Sequence, residues 1–351
     1  MDSREIVAIG ASAGGVEALR EIVEALPADF PAAVCVVIHF PPHASSRLPA
    51  ILARAGNLPA AHAEDGEPLQ AGRIYVAPPD RHLLVERGRL CLSRGPRENG
   101  HRPAVDPLFR SAAVTYGRGV VGVVLSGNLD DGTAGLSAIV RRGGVGVVQD
   151  PADAAHPGMP SSALANVRVD HSVAAAEIPS LLVRLVTEEI PGRAAPEVGR
   201  DLLRFETDIT GMEPYALHAD QRPGEPSGFS CPECQGVLFE VREGELARYR
   251  CRVGHAYGPE TLMAKQADQV EEALWIAFQS LKERAAFARG MARKMEARRN
   301  RYSHQRFMEQ AAEAEARAAV IRDVLRGATR GGANLSAEDE PPRRAASGEG
   351  D

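Results

Sequence analysis

Cysteine is scarce, with five residues in a chain of 351. An odd number in so long a chain excludes the disulfide scaffold of a small secreted protein. Three of the five cluster near a histidine, which points instead to a reducing cytoplasm and a metal site. A basic surplus is lacking as well. Lys plus Arg number 41 against 47 for Asp plus Glu, a net charge of −6, so the charge balance indicates no nucleic-acid partner. No apolar run reaches the roughly 18 residues of a membrane span, so no membrane insertion is expected. The N-terminal residues MDSREIVAIGASAGG lack the basic start and long apolar core of a signal peptide. What is present is an ordinary globular composition, 44% hydrophobic and 25% charged. At roughly 150 residues per domain the length allows about two domains.

From Ile6 to about Thr187 short β-branched runs alternate with helical stretches. Ile6–Gly10, Ala33–His39, Ile74–Ala77, Val120–Ser126 and Val145–Gln149 read as strands, and Leu83–Ser93 as a hairpin turning at Arg87 and Gly88. Helices are expected at Val16–Leu26, around Leu48–Ala55, at Thr133–Arg142 and near Ser162 and Ile178. Another runs through Ala113 from an N-cap at Asp106, with Pro107 in its first turn. Near-continuous apolar strands separated by helices predict an α/β fold. The sheet is doubly wound and mostly parallel, covered on both faces to give three α/β/α layers. This unit spans 1–190. Residues 191–228 read as a linker rich in Pro and Gly with one short helix around Leu202. A compact Cys-rich segment follows at 229–258, then a long helical region at 259–328 and a disordered tail at 329–351. Within the helical region Val270, Leu274, Ala277, Leu281, Ala285, Ala288 and Ala292 step by three and four, and only Gly290 favours a break.

Gly10-Ala11-Ser12-Ala13-Gly14 matches the G-x-S-x-G elbow, in which a sharp strand-to-helix turn exposes a serine hydroxyl. The alternative is a glycine-rich turn that binds phosphate. It lacks the G-x-G-x-x-G spacing of a dinucleotide site and the Lys of a P-loop. A serine nucleophile needs a base, and His39 closes the second strand. An orienting acid is available in Asp130 or Asp131, in the loop after the strand at 120–126, although an Asp before Gly is also an ordinary turn residue. In an open parallel sheet, sites form beyond the carboxyl ends of strands, so the predicted fold gathers all of these residues.

Gly10-Ala11-Ser12-Ala13-Gly14-Gly15, Ile38-His39-Phe40-Pro41 and Leu125-Ser126-Gly127-Asn128-Leu129-Asp130-Asp131-Gly132 resemble the CheB-type chemotaxis protein-glutamate methylesterases. Further matches are Ile74-Tyr75-Val76-Ala77-Pro78, His101-Arg102-Pro103-Ala104-Val105-Asp106 and Gly158-Met159-Pro160, so the likeness covers about residues 4–187. The resemblance implies that Ser12 is the nucleophile, His39 the general base and acid, and Asp131 the orienting carboxylate. The backbone N–H groups of Ala13 and Asn128 are then the candidate oxyanion hole. It implies hydrolysis of glutamyl methyl esters, and deamidation of glutamines, on a chemoreceptor or related signalling protein, with no cofactor needed for catalysis. Arg81, Arg102 and Arg110, placed near the mouth, are expected to attract an acidic receptor helix. Two departures stand out. Family members often carry Thr where Ala13 stands, and the chain starts at the catalytic strand, so a regulating receiver domain is expected to be absent or to act in trans. The other readings are a non-catalytic protein that docks to a receptor and an esterase for another substrate.

Cys231-Pro232-Glu233-Cys234 and Cys251-Arg252-Val253-Gly254-His255 give C-x2-C, sixteen residues, then C-x3-H, the donor set of tetrahedral structural zinc. Val237–Val241 and Ala247–Tyr249 are the expected strands of a zinc ribbon turning around Gly244. All four positions are filled by protein, which argues against catalytic zinc. Cys35 and Cys91 read as buried, inert strand residues. The ribbon and long helix also resemble an extension of some methylesterase homologues. They serve either as a folding or homo-oligomerisation module, or as a docking arm for a receptor, kinase or methyltransferase.

Overall fold

The computed structural model describes residues 3–41, 46–190, 202–218, 224–244 and 246–331. The chain divides into two compact units, one ending at Lys265 and the other beginning at Gln266. The first opens with β1 (Ile6–Ala11), α1 (Gly15–Ala25), β2 (Ala33–Ile38), α2 (Leu48–Ala55), β3 (Ala60–His62) and β4 (Ile74–Val76). A hairpin of β5 (His82–Glu86) and β6 (Arg89–Ser93) follows, then α3 (Val105–Tyr116). β7 (Val120–Val124), α4 (Thr133–Arg141), β8 (Val145–Gln149), α5 (Gly158–Asn166), β9 (His171–Val173) and α6 (Ile178–Thr187) complete the α/β part.

Seven strands lie in the order β3-β4-β2-β1-β7-β8-β9, every neighbouring pair parallel. The period of two in each strand sends alternate side chains to opposite cores. Val7, Ile9, Val34, Val36 and Val121 pack with Leu19 and Ile22 of α1 and Leu182 of α6. Ile6, Ala8, Val37 and Val124 pack with Phe109 of α3, Leu136 of α4 and Met159 of α5. With both faces covered, β1, β2, β7 and β8 are buried along their whole length, which is why they read as continuous apolar runs. Burying each Val, Ile or Leu contributes about 1.5–3 kcal/mol. The edge strands β3 (AAH) and β9 (HSV) carry no such run and were not legible. β1 is the switch point, with β2 on one side and β7 on the other, so the carboxyl ends of these three strands border one crevice.

Two expectations are corrected. α3 begins at Val105 with no side-chain cap, because the Asp106 carboxylate reaches across to the start of α4, accepting from the N–H groups of Gly132 (3.1 Å) and Gly135 (2.6 Å). Cys35 is buried, but Cys91 is only half-buried on the outer hairpin.

Past the α/β part lie α7 (Leu202–Gly211), α8 (Pro214–Leu217), β10 (Glu225–Ser230), β11 (Val237–Glu243), β12 (Leu246–Cys251) and β13 (Ala256–Tyr257). α7 lies in the span read as linker and packs on α3, with Leu203 in the shared core. The four strands form one antiparallel sheet in chain order, two more than the expected ribbon, around Cys231, Leu238, Cys251, Tyr257 and Leu262. A buried ionic cluster joins this sheet to the α/β part. Glu98 accepts from Arg110 (2.7 and 3.0 Å), from Thr210 of α7 (2.7 Å) and from Arg250 of β12 (3.1 Å). Glu206 of α7 pairs with Arg250 at 3.1 Å and stands 2.7 Å from Arg248.

α9 (Pro259–Ala297) starts in the first unit and continues into the second, where α10 (Arg301–Gly331) follows. The chain runs helical through Gly290 and breaks instead at Arg298–Asn300, where Arg299 has φ 57°. In the second unit Ala285, Ala288 and Ala292 are buried, as are Ala311, Ala314 and Ala318 of α10, whereas Val270 at the start of the expected stripe is 61% exposed. The tail expected at 329–351 lies outside the described residues from 332 on. No described helix is long and apolar enough to cross a membrane.

Candidate active site

The β1–α1 turn is tight because two glycines flank the serine two positions away on either side. Gly14 takes φ 72°, the left-handed conformation that ends the turn, and a Cβ there would lie 2.7 Å from the Ser126 hydroxyl. The Ser12 N–H donates to the Ser126 carbonyl at 2.9 Å, tying the elbow to the end of β7, and the Ser126 hydroxyl donates to the Ala13 carbonyl at 2.7 Å. His39 stands one residue past β2. Its Nδ1 lies 3.1 Å from Ser12 Oγ and its Nε2 lies 2.7 Å from Asp131 Oδ2. Nε2–H donates to the carboxylate, leaving the Nδ1 lone pair for the serine proton. The ring of His101 stacks on that of His39 with centroids 3.8 Å apart and planes 7° apart.

Asp131 is nearly enclosed. Oδ2 accepts from His39 and from the Val105 N–H (2.8 Å), and Oδ1 from the Asp106 N–H (3.2 Å) and the Asn99 amide (2.8 Å). Two of these donors are the first N–H groups of α3, whose positive end favours an anion. Burial pushes the Asp131 carboxyl up, but His39 and the N–H donors outweigh it and hold it below its usual value. Asp106 has the opposite outcome, since burial and the neighbouring Asp131 charge push it up to about 8. Burial, then the His39 charge, push His101 down to about 4, so it stays neutral near pH 7.

The neighbouring Asp130 faces elsewhere. It accepts from the Glu260 N–H (3.0 Å), the Thr261 N–H (3.3 Å) and the Thr261 hydroxyl, capping the start of α9. Among the described residues the N–H groups of Ala13 and Asn128 donate to no protein group. Ala13 follows Ser12. Asn128 follows Gly127, where a Cβ would stand 2.8 Å from Ser12 Cβ and 2.1 Å from Met159 Sδ.

The expected arginine mouth is corrected in part. Arg110 is buried and holds Glu98 in a two-pronged ion pair, so it faces no partner. Arg102 is committed to Asp80 (2.9 and 2.6 Å) and to the carbonyls of Arg94 and Gly95. Arg81 is exposed.

In the ribbon, one ligand atom from each of Cys231, Cys234, Cys251 and His255 lies within 4.8 Å of the other three. His255 Nδ1 is 3.6 Å from the sulfurs of Cys231 and Cys251, and Cys234 and Cys251 are 3.6 Å apart. Tetrahedral zinc with ordinary bond lengths requires separations of about 3.6 Å between N and S and about 3.8 Å between S and S. His255 Nε2 stands 3.4 Å from the Glu233 carboxylate, the outer-shell partner that a ligating imidazole needs.

Residues 7–182 match the family model for the CheB methylesterase. A Leptospira interrogans relative is 37% identical over 182 residues, 52% of this chain and 94% of its own length. The protein-glutamate methylesterase/protein-glutamine glutaminase 2 of Anaeromyxobacter dehalogenans is 42% identical over 181 residues, 52% of this chain and 53% of its own. The crystal structure of the Thermotoga maritima CheB methylesterase catalytic domain is 35% identical, with a TM-score of 0.51, covering 53% of this chain and 100% of that one.

Proposed function

The chain belongs to the CheB methylesterase family, and on that footing we propose that it hydrolyses glutamyl methyl esters, and deamidates glutamines, on a chemoreceptor or related cytoplasmic signalling protein. The observation that carries the reading is the continuous contact from Ser12 Oγ through both ring nitrogens of His39 to Asp131. Ser12 attacks the γ-carbonyl of the ester while its proton passes to His39 Nδ1. The tetrahedral oxyanion is received by the N–H groups of Ala13 and Asn128. His39 returns the proton to the methoxy oxygen, and methanol leaves. Water then repeats the sequence on the acyl-serine, giving up its proton to His39, and glutamate and Ser12 are regenerated. A glutamine follows the same course, with ammonia leaving. Asp131 holds the imidazole in the working tautomer and balances the imidazolium charge.

Cys231, Cys234, Cys251 and His255 are the proposed ligands of one structural zinc, supported by their spacing and by the Glu233 contact. A bound zinc would tie the two ends of the small sheet together, and no chemical step passes through it.

The test is methanol release from a methylated chemoreceptor signalling domain. Release by the native chain and none by a folded Ser12→Ala is expected. Equal release by both sinks the assignment.

A further inference from the structure

We propose that the turn joining the small sheet to α9 is a working part of the esterase site, with Asn99 as the positioning residue through which it acts. This rests on the reading of Asp131 as the orienting acid of Ser12 and His39.

Asn99 is buried and sits at φ 51°, a left-handed conformation that Asn tolerates. Its amide has two ends with different work. Nδ2 donates to Asp131 Oδ1 (2.8 Å) and Asp106 Oδ2 (2.9 Å), while Oδ1 accepts from the Gly258 N–H (2.8 Å). The two contacts select the same orientation. A flipped amide would set its oxygen against the Asp131 carboxylate and its NH2 against the Gly258 N–H, making both of those contacts repulsive. With the Gly258 donor in place, only one orientation is satisfied, and it is the one that donates to Asp131. Without that donor, the amide loses the partner that fixes its end.

The turn is in turn gripped by the residue beside the acid. Asp130 accepts the N–H groups of Glu260 and Thr261, and a Cβ at Gly258 would stand 2.1 Å from Asp130 Oδ2. The Asn99 N–H donates to the Ala256 carbonyl at 2.7 Å, fixing the loop to β13. Two consecutive aspartates therefore hold the start of α9 and the reacting histidine, and Asn99 bridges the two tasks.

The probe is a fluorophosphonate, which forms a P–O bond to Ser12 Oγ with loss of fluoride while the hydroxyl proton passes to His39. Its rate on the full chain is followed against pH. Asn99→Gly keeps the backbone conformation and removes the amide, and is expected to slow labelling about tenfold, the scale of a small misplacement of catalytic groups. Asn99→Asp keeps an acceptor for Gly258 but sets a third carboxyl against Asp131 and Asp106, which perturbs the acid that orients His39 and shifts the pH midpoint of labelling. A residue that merely supports the fold would leave that midpoint in place. Gly258→Ala, which drives the turn off Asp130, is expected to slow labelling several-fold in the native background and less than twofold in Asn99→Gly. Equal slowing in both backgrounds, or an unmoved midpoint in Asn99→Asp, overturns the positioning role. Absence of Ser12 labelling in the native chain overturns the triad reading itself, and the positioning role with it.

Discussion

Asp130 and Asp131 are consecutive, yet their carboxylates serve different elements: Asp131 Oδ2 lies 2.7 Å from His39 Nε2, whereas Asp130 caps α9 through Glu260 and Thr261. Their isosteric substitutions must therefore differ in kind. Asp131→Asn presents an NH2 or an uncharged oxygen to Nε2 and removes the charge that balances the imidazolium, so turnover should fall by about 10⁴. Asp130→Asn weakens a helix cap, costs about 1 kcal/mol of stability and affects turnover at least a hundredfold less. Methanol release and denaturant melts of the two variants separate these outcomes, and comparable rate losses would show that the division of labour is wrong.

Gly127 has no room for a side chain. A Cβ would stand 2.8 Å from Ser12 Cβ and 2.1 Å from Met159 Sδ. Gly127→Ala must push the nucleophile or the segment bearing Asn128, and a shift of about 1 Å at a reacting group costs about 100-fold in rate. We expect kcat to fall that far while global stability changes by less than the 2–5 kcal/mol of a severe core defect. Pairing it with Met159→Ala, which opens one side, should recover part of the rate. No recovery would place the defect on the Ser12 side alone.

The three chemical groups were legible because a parallel sheet brings strand ends together, and each of Ser12, His39 and the Asp130–Asp131 pair follows a strong apolar run. What periodicity did not show was which aspartate turns inward, since both sit in one loop before Gly132 and the choice is made by α3 and α9. The resemblance named Asp131. Arg110 reads from sequence as a charge near the mouth because its partner Glu98 lies on a loop twelve residues back, and Thr210 and Arg250, which share that carboxylate, are 100 and 140 positions ahead of Arg110. No local pattern marks Asn99, whose side chain is wedged between Asp131 and Gly258. Local pattern encodes elements, and the contacts that join distant elements carry no spacing rule.

The Glu98 cluster yields a prediction in pH. Burial alone would push this carboxyl up, but Arg110 and Arg250 hold it well below its usual range. A carboxyl whose pKa falls on folding contributes stability that is present above its unfolded value, about 4.3, and drains away as the pH drops toward the folded one. Glu98→Gln leaves the buried Arg110 guanidinium without its ion-pair partner and Arg250 with Glu206 alone, and should cost about 3–5 kcal/mol at pH 7. Urea melts at pH 7 and pH 3.5 should show the gap between native chain and variant narrowing at the lower pH. A gap of constant size would mean that Glu98 does not fold as a carboxylate.

The zinc proposal is tested by stoichiometry before stability. Of the five buried residues at the heart of the small sheet, Cys231 and Cys251 are themselves proposed ligands, so the apolar core left to the sheet without metal is Leu238, Tyr257 and Leu262. The sheet is also held to the α/β part by the ionic cluster at β12 and by Asn99 at β13, whereas the Cys231–Cys234 turn reaches it through the long Arg97–Glu233 ion pair at 3.9 Å. Chain purified under reducing conditions should carry one zinc, and Cys251→Ser none. Free zinc at 1,000 times its dissociation constant should raise the unfolding free energy of the stripped chain by about 4 kcal/mol, because the metal binds the folded site only. Hydrogen exchange should place the loss on stripping in β10, β11 and the Cys231–Gln235 turn, leaving β1, β2 and β7 protected. Uniform deprotection of both sheets would instead make the metal a keystone of the whole first unit, and a chain that binds no zinc with all thiols reduced would end the assignment.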